Sequence, residues 1–275
     1  MTPIHVMING LPGNVTRIIT EAILEDSRFS LIPCSLTGPE ITEREIFVNN
    51  TPIALVLPSD HERALEKLKK DVGNFIIADY THPSAVNQNA ELYCKLKIPF
   101  VMGTTGGNRK KLTETVQNAN IPAVIAPNMA KQIVALQAMM EFGGQNFPGV
   151  FSGYTMSVVE SHQAAKADTS GTAKAVVYSF NQMGVDFTEE DIQLIRDPKE
   201  QLQMGIPEDV LGGHAWHTYT LTSPDKTTQF SFTHNVNGRK IYGGGTKDAI
   251  ITLATKIAQG EPPKIYSMID ILKNG

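Results

Sequence analysis

Apolar positions follow two rhythms along the chain. From residue 2 to about 130, short apolar runs alternate with stretches whose apolar residues recur at helical spacing. Ile4-His5-Val6-Met7-Ile8 predicts a strand, which runs into Asn9-Gly10-Leu11-Pro12-Gly13 and a helix carrying Ile18, Ile19, Ala22, Ile23 and Leu24. Phe29 to Ser35 predicts a second strand and Ile53 to Leu57 a third, ahead of a charged amphipathic helix over Glu62 to Asp71. Strands over 75–79, 100–102 and 123–126 then alternate with helices over 84–96 and 110–118. Such alternation implies parallel pairing with right-handed crossovers, so the region is expected to be an α/β, doubly wound Rossmann-like domain.

The rhythm changes after Asn128. A helix over about 131–142 leads to three segments, 153–160, 218–222 and 229–236, in which polar and apolar positions alternate with period two. A helix over 172–182 separates the first two, and a last helix over 246–258 carries Ala249, Ile250, Leu253 and Ile257 on one stripe. Period-two strands close in sequence predict a mixed-sheet α+β domain, with the boundary between domains near residue 130.

Composition narrows the class without naming a function. Hydrophobic residues make up 41% of the 275, enough for a substantial core. With 24 basic and 28 acidic residues the net charge is −4, which argues against a nucleic-acid binder. The longest apolar runs fall short of a membrane span, and the first one lacks the basic flank of a secretory signal. Cys34 and Cys94 are too few for a disulfide framework and read as buried thiols in a reducing, cytosol-like compartment.

Candidate chemistry gathers at strand ends. Gly10 and Gly13 stand in the first strand–turn–helix, where glycines let the backbone approach a pyrophosphate at the positive end of a helix. Thr16 occupies the position of the third glycine in that spacing, and is expected to loosen cofactor binding or push the first helix off the sheet. The second strand ends in Cys34-Ser35-Leu36-Thr37-Gly38, without the acidic residue that holds an NAD ribose. Small hydroxyls facing a 2′-phosphate, with Arg17 as the nearest cation, favour NADPH, with NADH as the alternative. Two further loops, Asp79-Tyr80-Thr81-His82-Pro83 and Gly103-Thr104-Thr105-Gly106-Gly107, end strands at the same edge; the second lacks the Gly-Lys-Ser/Thr ending of an NTPase loop. Arg109-Lys110-Lys111 reads as a solvated helix start.

The densest constellation is Glu160 to Lys174. His162 is the residue type suited to proton donation near neutral pH, Lys166 brings a mobile charge, and the backbone N–H groups of Gly171 and Thr172 point out of a helix start toward an anion. A carboxylated substrate that must be held and protonated fits this set, although each residue alone is an ordinary surface residue or, for Ser170, an N-cap. His214 and His217 read as structural histidines, and no metal is expected.

Together these motifs resemble the 4-hydroxy-tetrahydrodipicolinate reductase family of the diaminopimelate route to lysine. The resemblance runs through Gly10–Gly13, Asp79-Tyr80-Thr81, Gly103-Thr104-Thr105-Gly106, Ala126-Pro127-Asn128-Met129 and Lys166…Ser170-Gly171-Thr172-Ala173, the last being the specific signature. Pro127–Gln132, Gly213–Thr222 and Asn235–Arg239 look most like the plant-type branch. The resemblance implies a general acid at His162, a substrate-orienting lysine at Lys166, and a carboxylate held by Ser170, Gly171 and Thr172. It implies cofactor contacts from Gly10, Gly13, Asn14, Val15, Arg17, Ser35, Thr81, Gly103, Thr104, Thr105, Pro127, Asn128 and Met129. It further implies a dinucleotide-binding domain over 1–130 completed by 242–275, and a substrate-binding and oligomerisation domain over 131–241. The expected partners are a small dicarboxylate and copies of the chain itself, as dimer or tetramer, in the cytoplasm or a plastid-stroma-like compartment. Closure around a ligand needs hinges, for which 128–131 and 243–245 are the candidates. The segment Gln163-Ala164-Ala165 lacks the basic residues of the bacterial branch, and His82 stands where that branch often has arginine. A catalytically weak NADPH-binding relative and another two-domain dehydrogenase are the alternatives.

Overall fold

Residues 2–273 are described by a computed structural model. The chain divides into two units, one made of residues up to Lys131 together with those from Lys240 onward, the other of Gln132–Arg239.

In the first unit, β1 (Ile4–Asn9), α1 (Asn14–Leu24) and β2 (Phe29–Leu31) form the opening crossover. The second strand expected from the sequence is broken. Pro33 has no N–H to offer a ladder, so the chain bends there and restarts as β3 (Cys34–Leu36) in a separate sheet. That small sheet has the order β3–β5–β4, where β4 (Glu45–Val48) and β5 (Thr51–Val56) form a hairpin. Asn49 and Asn50 turn it with φ of 47° and 63°, the backbone a two-residue type I′ turn requires. The stretch Ile53–Leu57 therefore belongs to this side sheet rather than to the main one.

Next come α2 (His61–Val72), β6 (Ile76–Asp79), α3 (Val86–Lys95), β7 (Phe100–Met102), α4 (Arg109–Ala119) and β8 (Ala123–Ile125). Alternation along the strands sorts their side chains between two faces. Met7, Ile77, Phe100 and Met102 pack with Tyr93 and Cys94 of α3 and Leu112 and Val116 of α4. Their neighbours Val6, Ile8, Ala78 and Val101 are equally buried on the other face.

The second unit follows: α5 (Lys131–Asn146), β9 (Thr155–His162), α6 (Gly171–Gln182), β10 (Gln193–Ile195), α7 (Pro198–Gln203), β11 (His214–Thr222) and β12 (Gln229–Asn237). Its sheet has the order β10–β9–β11–β12, with β10 parallel and β11 antiparallel to β9. One face is covered by α6 around Val176, Val177 and Phe180, which pack with Val158, Tyr219 and Leu221. The other face is lined by hydroxyls, Thr218 meeting Thr233 at 3.1 Å and Thr220 meeting Ser231 at 3.5 Å.

The chain returns to the first unit as α8 (Ile241–Ala258), β13 (Ile265–Tyr266) and α9 (Met268–Lys273). The order β13–β8–β7–β6–β1–β2 makes the main sheet six-stranded and wholly parallel, with the last strand pairing on β8. Helix α8 begins five residues ahead of the sequence expectation, so Gly243, Gly244 and Gly245 are helical rather than a linker. A Cβ at Gly245 would collide with the Met129 carbonyl oxygen, so glycine serves there as a packing surface, and the stretch expected to be a hinge is part of a helix. Among the described residues no helix is long and apolar enough to cross a membrane.

Candidate active site

The loops that end β1, β3, β6 and β7 are joined by a buried polar network. Asp79, at the end of β6, is fully buried. Its Oδ1 accepts from the Thr81 N–H at 2.9 Å and the Thr81 hydroxyl at 2.7 Å, while its Oδ2 accepts from the Tyr93 hydroxyl at 2.6 Å and from Asn89 at 3.0 Å. Asn9 donates to the Tyr93 hydroxyl and accepts from the Leu36 N–H, each at 2.9 Å. Thr104 adds its hydroxyl to the Thr81 carbonyl at 3.2 Å. A buried carboxylate without a cation is costly unless neutral donors surround it, and here the loops after β6 and β7 and helix α3 supply them.

Above this network the glycine loop is shaped for a close approach. Gly10 has φ of 110°, and a Cβ on it would stand 2.6 Å from the Tyr80 carbonyl oxygen. Gly13 is the N-cap of α1, with Asn14 exposed and Val15 half-buried at its start. Thr16 does not push the first helix away. Its hydroxyl donates to the Gly13 carbonyl at 2.7 Å, with the Gly10 carbonyl at 3.1 Å, and α1 stays packed through Ile19 and Ile23.

Several expected ligand contacts have other tasks. Ser35 is fully buried, accepting from the Leu11 N–H at 3.2 Å, and Thr37 donates to the Leu11 carbonyl at 2.8 Å. Both hold the glycine loop from beneath, so neither hydroxyl faces a 2′-phosphate. Arg17 reaches across that loop to the Pro12 carbonyl at 3.2 Å. Gly103 lies against the Tyr80 ring, Thr104 is buried in the network, and Thr105 is exposed. Pro127 is exposed and Asn128 caps the Ala130 N–H at 2.9 Å; the Met129 side chain is 1% exposed and belongs to the core, which leaves only its backbone for a ligand.

The Arg109–Lys111 run is not simply a solvated helix start. Arg109 turns back to donate to the Thr104 carbonyl at 2.8 Å, and its Nη1 is buried without a partner among the described residues. An unpaired guanidinium nitrogen beside the 103–107 loop, together with a glycine cradle that a Cβ would fill, fits an anionic nucleotide cofactor on this unit.

The second unit carries the other half of the predicted residues. His162 ends β9 and is 8% exposed, and its carbonyl accepts from Gln201 at 2.7 Å. His162 and His217 share a hydrogen bond, their Nε2 atoms 2.9 Å apart. The loop after β9 is organised by Arg196. Its guanidinium meets the fully buried Glu160 carboxylate at 2.5 Å and the Lys166 carbonyl at 2.7 Å, and the Ser170 N–H donates to the same carboxylate at 3.0 Å. Ser170 then accepts from the Thr172 N–H at 3.2 Å, so its hydroxyl oxygen serves as the N-cap of α6. Gly171 is exposed, with no neighbour within 4 Å of where a Cβ would stand. The Lys166 ammonium leans on Asp168 at 2.8 Å, and it holds that exposed carboxyl below the usual range.

Burial is the main cause that pushes the His162 imidazole down to about 4, with Arg196, Lys166 and His214 adding to it. His217 is lowered further, by burial and then by His234 and His162. His214 and His217 stand three residues apart on a strand and do not act together; His214 bonds Ser161 at 2.8 Å and the Leu211 carbonyl at 3.1 Å. Ligand-type atoms of Glu160, His162 and His217 lie within 4.8 Å of one another. The Glu160 oxygens are already taken by Arg196 and the Ser170 N–H, and the guanidinium opposes a second cation there. Cys34 and Cys94 are both free, and burial pushes each thiol up to about 11, which makes them inert.

Arg196 and Gln201 carry no signal in the sequence, since each sits beyond a three-residue strand that pattern reading passes over. The pairing of His217 with His162 follows only from the antiparallel register, which sets His217 opposite Glu160.

Two family models cover nearly the whole chain. Residues 4–129 match "Dihydrodipicolinate reductase, N-terminus" and residues 133–272 match "Dihydrodipicolinate reductase, C-terminus". The chain belongs to the dihydrodipicolinate reductase family. Among its relatives, "Probable 4-hydroxy-tetrahydrodipicolinate reductase 1, chloroplastic" of Oryza sativa subsp. japonica is 48% identical over 98% of this chain and 79% of its own length. "4-hydroxy-tetrahydrodipicolinate reductase 1, chloroplastic" of Arabidopsis thaliana is also 48% identical, over 99% of this chain and 78% of its own. In fold, the chain is similar to a dipicolinate-bound dihydrodipicolinate reductase from Paenisporosarcina sp. TG-14, with a TM-score of 0.66, 16% identity and 98% of each chain covered. As a member of this family the chain carries a nucleotide-binding Rossmann-like unit and a mixed-sheet unit.

Proposed function

We propose that this protein reduces 4-hydroxy-tetrahydrodipicolinate to tetrahydrodipicolinate with a nicotinamide cofactor, in the diaminopimelate route to lysine. The observation that carries the reading is the build of the 160–172 segment: a buried histidine at a strand end, a lysine four residues on, and an open helix start at Gly171. Names of relatives 48% identical along almost the entire chain support it.

The first unit would hold the cofactor through the backbone of Gly10, Gly13, Gly103 and Met129 and through Arg109. When bound, the reduced nicotinamide supplies the hydride. The remaining tasks fall to this chain's residues. Lys166 and the N–H of Gly171 neutralise a substrate carboxylate, at the positive end of α6. Arg196 neutralises Glu160, so the buried carboxylate does not repel a dianion. His162 gives the proton. His162→Gln is expected to lower kcat by ~10²- to 10⁴-fold with little change in cofactor KM, measured by loss of reduced-cofactor absorbance on freshly generated substrate. An unchanged kcat removes His162 from the reaction.

Cofactor choice rests on Arg17 and Arg109, because Ser35 and Thr37 are turned inward. NADPH is the favoured partner, and a higher kcat/KM for NADH would overturn that preference. The names of the plant relatives support a plastid location, and the hydroxyl-lined sheet face around Thr218 and Thr233 is the surface offered to further copies of the chain, a dimer or tetramer that light scattering would detect.

A further inference from the structure

Behind His162 lie polar side chains to which the reductase reading gives no task. His217 Nδ1 is 3.1 Å from the Tyr219 hydroxyl oxygen, which continues the contact between the two Nε2 atoms into a line His162–His217–Tyr219. The three residues are 8%, 1% and 1% exposed. Strand register builds the line: His217 and Tyr219 are two apart on β11 and share a face, with Glu160 opposite on β9 and His234 opposite on β12. The His234 ring lies 4.5 Å from that of His217, and neither of its nitrogens has a hydrogen-bond partner among the described residues. Tyr219 and His234 also line a cavity of about 290 Å³, together with Leu136, Met140, Val176 and Phe232. Its volume accommodates several water molecules.

A contact between two imidazole nitrogens holds one proton, so one ring donates and the other accepts. With Nε2 committed to His217, the nitrogen of His162 left to reach a substrate is Nδ1. We propose that His217 and Tyr219 are positioning residues that relay a proton from the cavity to His162, on the reading of His162 as the proton donor. The Nδ1–H bond of His162 breaks as its proton passes to the substrate, and the Nε2–H proton of His217 forms the new N–H bond at His162 Nε2. The Tyr219 hydroxyl gives its proton to His217 Nδ1 and regains one from solvent water in the cavity. Each group ends neutral and each imidazole ends in its other tautomer, to be reset through solvent before the next turnover.

The surroundings explain why a relay is needed. Arg196 and Lys166 face His162, His214 adds to them, and His234 and His162 face His217, while Glu160 is spent on Arg196. Burial among these groups keeps both imidazoles neutral near pH 7. A neutral imidazole is a weak acid unless its second nitrogen is protonated in the same step.

The test compares His162→Gln, His217→Gln and Tyr219→Phe in the full chain, by kcat across the neutral pH range and by proton inventory in mixtures of light and heavy water. The relay predicts a curved inventory for the unmodified enzyme and a linear one for His217→Gln. It predicts that His217→Gln lowers kcat by roughly 10- to 100-fold, with cofactor KM unchanged. In that variant kcat falls as pH rises, because only the cationic imidazole can then donate, and added imidazole restores part of it. Tyr219→Phe keeps the apolar packing and should shift the ring nitrogen-15 resonances of His162 toward the other tautomer, a readout independent of turnover. Unmodified rate, pH profile and inventory in His217→Gln, beside a crippled His162→Gln, would overturn the relay alone. An unimpaired His162→Gln overturns the donor assignment and the relay with it.

Discussion

Among the described residues each unit buries one carboxylate at or near a strand end, and the two are stabilised in different ways. Asp79 is surrounded by neutral donors from Thr81, Asn89 and Tyr93, whereas Glu160 is met by the Arg196 guanidinium. The neutral solution ties four loops together without placing a fixed positive charge among them, so cationic side chains such as Arg109 stay available for an anion. The charged solution cancels Glu160 and at the same time lowers the nearby histidines. One carboxylate is a joint; the other sets an electrostatic environment.

The largest effect is expected from breaking the charged pair. Arg196→Met should cost ~3–5 kcal/mol, because it leaves Glu160 buried and uncompensated, and should strip hydrogen-exchange protection from residues 160–172. A loss under 1 kcal/mol in urea unfolding would show that Glu160 simply takes up a proton or a water, and the contrast between the units would fail. Tyr93→Phe removes one donor of several from Asp79, and a loss of about 1.5–3 kcal/mol is expected, confined to the first unit. A larger loss than that of Arg196→Met would reverse the comparison.

Acid is expected to act on the second unit with a smaller effect. His162 is lowered from 6.5 to about 4 in the folded protein, so between those values the unfolded chain binds the proton more readily. Stability is therefore fully present above pH 6.5, falls as pH drops toward about 4, and then levels off as far as this group is concerned. With allowance for solvent screening, His162 contributes ~1–2 kcal/mol to that fall. Thermal unfolding of His162→Gln should show a flatter pH dependence over the same window, and an identical slope would remove His162 as the cause.

The alternation of strands and helices made the parallel sheet legible, because each run obeys one period and ends at a glycine or a polar loop. The side sheet was not legible in the same way. The hairpin β4–β5 hides in a stretch whose apolar positions are few, although Asn49-Asn50 is the turn chemistry that marks it. Pro33 likewise signals the break between β2 and β3 only when its missing N–H is taken into account. In the site, His162 and Lys166 were readable from residue type and their place beside a helix start. The side chains of Ser35, Ser170 and Met129 turn inward, which a motif does not reveal because it gives positions and not directions. Arg196, His217 and Tyr219 come into play only through pairing between segments far apart in sequence, which no local pattern encodes.

The main sheet draws strands from both ends of the chain, while Gln132–Arg239 is one continuous insertion. During synthesis the insertion leaves the ribosome complete and can collapse on local contacts. The first unit must wait, with β8 presenting an unpaired edge and the seat of α8 uncovered, until residues after Lys240 emerge. Closing that sheet spans more than a hundred intervening residues, so its assembly is the slow, high-contact-order step of folding, and the nascent protein is most prone to aggregate during that interval.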